Sequence, residues 1–281
     1  MELEGKNCII TGGGRGIGKA IARAFAREGA NLVLASRTTS ELEVAKGEIE
    51  GLSTKRVGVI PTDVSQPKEV RELVSFALRE FGAIDILVNC AGIYGPIGLT
   101  TDVDSEKWLQ TVRINLYGTF LCIQAVLPTM IENKKGKIIN LSGGGAASPL
   151  PRFSAYGASK AAVVRITETI AEEVLEYHID INAIAPGGVN TKLLDHVLEA
   201  GEAAGKDFLL RAMKQKQEGG IPPEKAAELA VFLASSKSDG LTGRLISAVW
   251  DNWHEIPRHL DKIMSSDIFT LRRIVPKDRV V

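Results

Sequence analysis

The chain has no excess charge of either sign: its 34 Lys and Arg balance its 34 Asp and Glu, so the formal net charge at pH 7 is zero. A balanced chain has no global pull toward nucleic acid or an anionic membrane, and no Lys/Arg run marks a local basic tract. Long apolar runs are also missing. No uninterrupted stretch reaches the roughly 18 residues that suggest a membrane-spanning helix. The opening MELEGKNCII is acidic before it is apolar, the reverse of a secretory signal. A soluble cytoplasmic protein with neither nucleic-acid nor membrane partners is expected. Cysteine is scarce: Cys8, Cys90 and Cys122 lie far apart among aliphatics, with no C-x-x-C spacing. They read as small buried hydrophobes. The four histidines, His178, His196, His254 and His259, are scattered with no H-E-x-x-H pattern, so no metal site is expected. Internal repeats and low-complexity blocks are absent.

What is present is a long chain with a large apolar share, 281 residues and 44% hydrophobic, enough for one sizeable core. Short β-branched runs at 6–11, 31–36, 56–61, 84–89, 136–142, 179–186 and 243–249 read as strands. Several are almost wholly apolar, as strands buried on both faces must be. Helical patterns at 17–28, 40–52, 67–81, 106–133, 155–177 and 223–235 alternate with them. The alternation predicts a doubly wound, Rossmann-type three-layer α/β sandwich with a mostly parallel seven-stranded sheet. One domain is expected over 1–249. Within it, the Gly-framed stretch 187–220 has periodicity only in pieces and reads as a substrate lid. Residues 250–281 form a C-terminal extension without strand-helix rhythm, holding two of the three tryptophans.

The run 11-TGGGRGIG-18 follows the first strand and opens the first helix. In that setting Gly12 takes the tight turn, Gly16 lets backbone approach a pyrophosphate and Gly18 allows close helix packing, with Gly14, Arg15 and Ile17 in the same loop. The helix N-terminus offers free N–H groups and a positive dipole end to phosphates. An acid at the end of the second strand would bind ribose hydroxyls and repel a 2′-phosphate. Here Ser36-Arg37-Thr38 stands instead. Arg37 can fork onto a phosphate, Ser36 or Thr38 can donate to it, and Arg15 can add charge, so NADP is preferred over NAD. Asp63, with Val64 beside it, is placed to accept from an adenine amino group. The small residues of 89-NCAG-92 (Asn89, Ala91 and Gly92 among them) let backbone come close to the cofactor.

Tyr156 and Lys160 lie one turn apart at the start of a helix, with Ser142 fourteen residues earlier and Asn115 further upstream. An isolated tyrosine titrates near pH ~10, so a lysine on the same face is needed to lower it. Ser142 can hydrogen-bond a reacting oxygen against Tyr156. With this set the sequence resembles the short-chain dehydrogenase/reductase family over roughly 5–247. The family's ordered motifs match Thr11 to Gly18, Asn89 to Gly92, Asn115, Ser142, Tyr156 with Lys160, and Pro186-Gly187. The resemblance implies that Tyr156 handles the proton and that Lys160 binds the nicotinamide ribose and lowers the tyrosine pKa. It further implies that Ser142 orients substrate and that Asn115 holds a relay water. Thr191 matches the contact to the nicotinamide carboxamide, with Val189 adding backbone contacts. The glycine loop, Arg37 and overall length resemble 3-oxoacyl-acyl-carrier-protein reductases, which implies a carbonyl or alcohol substrate, an acyl-carrier partner approaching Arg152, Lys192, Lys206 and Arg211, and a homodimer or homotetramer. A reductase of a sugar, polyol or other polar ketone is the alternative, with Trp250 and Trp253 as stacking platforms. A non-catalytic NADP-binding sensor or scaffold is the rival from another class. Two departures stand out: Cys90 replaces a common Asn, and the chain reads SAVWDNW after the last strand.

Overall fold

The computed structural model describes residues 1–52 and 55–278. The last three positions of the expected extension therefore lie outside the described residues. Seven strands, β1 (Asn7–Thr11), β2 (Asn31–Ser36), β3 (Val57–Pro61), β4 (Ile86–Asn89), β5 (Gly136–Leu141), β6 (Ile179–Ala185) and β7 (Arg244–Ser247), form one parallel sheet in the order β3-β2-β1-β4-β5-β6-β7. The expectation of a mostly parallel seven-stranded sheet is met, and every pairing is parallel.

The apolar strand runs serve two layers at once. In β1, Ile10 packs with α1 (Gly16–Arg27), α2 (Thr39–Glu50) and α9 (Pro223–Ala234), while its neighbour Ile9 faces α3 (Pro67–Phe81), α5 (Gly118–Glu132) and α6 (Ser154–Glu173). Successive side chains point to opposite faces, so a strand covered on both sides cannot alternate polar with apolar. α3 begins with Pro67, whose fixed φ suits the first turn, and ends on Gly82 in the left-handed region (φ 79°).

The helix expected over 106–133 runs from Ser105 to Glu132 but is not uniform. α4 (Ser105–Val112), capped by Asp104 accepting from the Lys107 N–H, passes into a π-helical turn at Arg113–Tyr117 before α5. This is the one helix among the described residues long and apolar enough to cross a bilayer, and half of that window is buried in the fold, as in a core helix. The 187–220 stretch holds two helices, α7 (Lys192–Ala200) and α8 (Lys206–Glu218), separated by Gly201 and Gly205 at positive φ. Those breaks explain why its periodicity reads only in pieces.

The tail packs on the sheet edge. Leu245 of β7 donates its N–H to the Phe269 carbonyl at 2.8 Å. Arg244 reaches the carbonyls of Ile263 and Met264 at the end of α10 (Leu260–Met264). Trp253 is buried against Phe232 of α9 at 5.4 Å between ring centroids. The expectation that Trp253 stacks on a substrate is therefore corrected: its indole is part of the core. Trp250 remains 81% exposed.

Candidate active site

The order reversal beside β1 opens a crevice between the C-terminal ends of β1 and β4. Thr11 fixes its width. The Thr11 hydroxyl accepts from the backbone N–H of Cys90 (3.1 Å) and Ala91 (3.2 Å), pinning the segment after β4 to the end of β1. Gly12, at φ 68°, turns so close to this segment that a Cβ there would stand 2.9 Å from the Ala91 nitrogen. A Cβ on Gly18 would stand 2.3 Å from the Gly12 carbonyl oxygen. Only glycine fits either place. The loop thereby presents the first turn of α1, free of acidic side chains, to a cavity of about 430 Å³.

Gly12, Gly14, Arg15, Gly16, Ile17 and Gly18 line one side of this cavity. Ser36, Arg37 and Thr38 line its outer end, Asp63 and Val64 a flank, and Ala91, Gly92 and Thr191 its inner end. The Ser36 hydroxyl is buried without a hydrogen-bond partner. Such orphans are rare, and a ribose hydroxyl or phosphate oxygen would satisfy this one. Glycine cradle, helix N-terminus and orphaned hydroxyl together fit a dinucleotide.

Two of the expected cofactor contacts also make hydrogen bonds within the fold. Asn89 is buried, holds β4 to β5 by donating to Asn140 Oδ1 at 2.9 Å, borders neither cavity, and leaves its own Oδ1 without a hydrogen-bond partner. Asp63 Oδ1 accepts from Ser65 N–H (2.9 Å) and its hydroxyl (2.7 Å), shaping the turn into α3 while the residue still lines the nucleotide cavity. The sequence reading also missed Glu41. Arg15 Nη1 (2.9 Å) and Lys192 Nζ (3.0 Å) both donate to Glu41 Oε1 on this cavity's rim. Burial alone would raise the Glu41 pKa, but these two donors hold it below the usual carboxylate range. Lys192 thus belongs to the nucleotide rim and not to an open basic patch.

A second cavity of about 490 Å³ meets the first at Ile17, Cys90, Gly92, Thr191 and Leu193. Ser142, Tyr156 and Lys160 form its floor, with Pro186, Gly187 and Val189 along one side. The Tyr156 phenol needs the bareness of Gly143, where a Cβ would stand 2.2 Å from its oxygen. Tyr94 packs edge-on against it at 4.6 Å and against Phe153 at 5.3 Å, and Phe208 closes the far side of Phe153. Burial, the largest cause, pushes the Tyr156 phenol well up, with Tyr94 and Cys90 adding to the shift. Lys160 is pushed down to about 8 by burial, partly opposed by Cys90. Lys160 Nζ donates to the Leu141 carbonyl at 2.6 Å and lies 5.8 Å from the tyrosine ring centroid. In the absence of a bound cofactor and substrate, burial holds the phenol in its protonated form. Among the described residues the Ser142 hydroxyl makes only a long 3.4 Å contact, to the Lys160 carbonyl.

Asn115 sits in the π-helical turn, fully buried. Its side chain accepts from the Ile93 N–H (2.9 Å) and donates to the Ile93 carbonyl (2.9 Å) and the Ser159 hydroxyl (3.0 Å). These bonds fix the loop after β4 to α6. The Cys90 thiol is raised to about 11 by burial, so it is no thiolate nucleophile at neutral pH.

A crevice that takes a dinucleotide and ends against a buried, protonated phenol is the equipment of an oxidoreductase working on alcohol and carbonyl carbon. Comparison with known proteins narrows this class: the chain belongs to the short chain dehydrogenase family, which residues 6–201 match, and whose members bind a nicotinamide cofactor. It is 35% identical over 246 residues to the 3-oxoacyl-[acyl-carrier-protein] reductase of Thermotoga maritima, covering 88% of this chain and 97% of that protein. Among solved structures it resembles NAD+-bound xylitol dehydrogenase, with a TM-score of 0.81 and 28% identity over 88% of this chain and 98% of that one. It also resembles a variant of actinorhodin polyketide ketoreductase with NADPH, with a TM-score of 0.80 and 26% identity over 86% of this chain and 95% of that one.

Proposed function

We propose that this protein is an NADP-preferring carbonyl reductase and alcohol dehydrogenase acting on a ketone or secondary alcohol, with 3-oxoacyl thioesters as the first substrates to try. The observation that carries the reading is the continuity of the two cavities: the Tyr156–Lys160 floor begins where the glycine-loop crevice ends. The likeness to a 3-oxoacyl-[acyl-carrier-protein] reductase favours the thioester substrate. NADP is favoured by Arg15 and Arg37 on a rim whose β2 end carries no acid.

When bound, the nicotinamide supplies or accepts the hydride. The chain's own residues handle the oxygen. Ser142, with only one long contact, donates its hydroxyl proton into a hydrogen bond on the substrate oxygen. Tyr156, kept protonated by its burial, gives its proton to that oxygen during reduction. The Lys160 ammonium nearby stabilises the phenolate that results. Asn115 and Thr11 hold the loop after β4, and Tyr94, Leu150 and Phe208 keep water from the reacting carbon.

A polar-ketone or polyol substrate is the second reading, supported by Trp250, an exposed indole bordering the catalytic cavity beside Arg211 and Gln215. The test is a screen of acetoacetyl thioesters and keto-sugars with NADPH, followed by its absorbance. Turnover of the thioesters is expected. Turnover of the sugars alone selects the second reading, and NADPH binding without oxidation by any substrate rejects both in favour of a sensor.

A further inference from the structure

Three cationic side chains and one carboxylate surround the outer end of the nucleotide cavity. Arg15 comes from the glycine loop, Arg37 from just beyond β2, Lys192 from the first residue of the lid helix α7, and Glu41 from the first turn of α2. Arg15 and Lys192 converge on a single oxygen, Glu41 Oε1, at 2.9 and 3.0 Å. The carboxylate therefore ties together three segments that are remote in sequence. It is held in place from behind, since a Cβ on Gly14 would stand 3.2 Å from the Glu41 Cβ. Beside it the buried Ser36 hydroxyl has no partner, and no ion pair engages Arg37 among the described residues.

We propose that the Glu41 carboxylate occupies the place of a 2′-phosphate, so that on binding NADPH both Arg15 and Lys192 exchange Glu41 for the phosphate. Lys192 is then a phosphate ligand carried by the lid, and Glu41 sets the size of the NADP preference by competing for both cations. The inference rests on the NADP reading above. Three cations against Glu41 at this end and Asp63 on the flank leave the cavity lining with a positive excess, which a phosphate of about −1.5 to −2 charge would meet. A dinucleotide with a bare ribose hydroxyl offers no such charge and leaves Arg15 and Lys192 on Glu41. The exchange costs little, because the side chains of Arg15 and Lys192 are 48% and 57% exposed and exposed ion pairs are weak. Since Lys192 begins α7, whose Leu193, Leu194 and Val197 border the catalytic cavity, the phosphate also anchors the lid over the reacting end.

The experiment measures NADPH and NADH affinity, by the fluorescence of the reduced nicotinamide, for the natural protein and for Glu41→Gln, Lys192→Met and Arg37→Asp, with thermal melts to confirm folding. Glu41→Gln is expected to tighten NADPH about three- to fivefold and Lys192→Met to weaken it by about as much, each with NADH changed less than about twofold. Added salt is expected to shrink both effects. Equal weakening of both cofactors by Lys192→Met places the lysine on the pyrophosphate and overturns the proposal. Unchanged NADPH affinity in Glu41→Gln overturns the competition. Arg37→Asp separates the two levels. If it loses NADPH while the other variants do not discriminate, only the exchange is rejected. If it leaves NADPH binding intact, the NADP reading itself falls and the exchange with it.

Discussion

A lysine buried beneath a pocket floor and satisfied by one carbonyl does not keep its full affinity for a proton, and Lys160 is brought from 10.5 to about 8. The proposed reduction needs its ammonium beside the developing phenolate. The rate constant kcat/KM for ketone reduction is therefore expected to be level below about pH 7 and to fall as pH rises through about 8. Stability moves the other way. Between about 8 and 10.5 the folded state binds fewer protons at this site than the unfolded chain does, so the fold gains stability as pH rises through that window. A pH-rate profile with a melting curve at each pH checks both signs; a rate that is flat to pH 10 sinks the assignment. Removing the proton itself, with Tyr156→Phe, is expected to lower turnover by roughly 10²- to 10⁴-fold while NADPH affinity is unchanged. Residue identity was legible at this scale, and side-chain direction was not. The spacing of Ser142, Tyr156 and Lys160 put them together, yet Asn89 turned out to face Asn140 and Asn115 to face Ile93. Glu41 carried no signal beyond being an acid in the first turn of a helix, because its importance depends on Lys192, 151 residues away.

At the scale of elements, legibility followed burial. Strands covered on both faces must be apolar throughout, so β1, β2 and β5 could be placed to within a residue. The π-helical turn at Arg113–Tyr117 was not foreseen, since one extra residue in a helical turn leaves no mark on composition or period. It is nonetheless the turn that carries Asn115 to the loop after β4. The two helices within 187–220 were missed because Gly201 and Gly205 interrupt their period. The glycine loop is the element whose sequence and geometry agree most tightly, and it can be tested as a unit. In Gly18→Ala the new methyl meets the Gly12 carbonyl, a backbone atom that cannot swing away. The variant is expected to lose about 1–3 kcal/mol of stability by overpacking. It is also expected to bind either dinucleotide at least about tenfold more weakly, because α1 is pushed from the phosphates. A melt and a cofactor titration decide it. Wild-type affinity for both cofactors would show that the loop does not hold them.

The whole molecule leaves two kinds of edge, and treats them differently. The β7 edge is covered by the chain's own tail: Phe269 takes a main-chain hydrogen bond from Leu245, Arg244 caps α10, and Leu271 packs on the cluster of Ala146, Val164 and Ala183. A strand edge covered in this way offers no template for pairing with another chain. The outer face of the helix Ser105–Glu132 is not covered. Leu109, Tyr117 and Phe120 are exposed there, with the last two rings stacked at 6.4 Å, and Ala158, Ala161 and Ala162 extend a low surface along the adjacent α6. Contiguous apolar surface of this kind marks an association site, and two long helices from each of two copies can approach the roughly 800 Å² per partner that a stable dimer buries. A homodimer through these helices is therefore expected, with the covered β7 edge closed to strand pairing between copies. Light scattering at micromolar concentration should give twice the chain mass of 30.2 kDa. The double variant Tyr117→Glu/Phe120→Glu, with both changes at solvent-facing positions, should shift the protein to monomer with its far-UV circular dichroism retained. A monomeric natural protein removes the helix face as an interface, and a variant that stays dimeric moves the contact elsewhere on the surface.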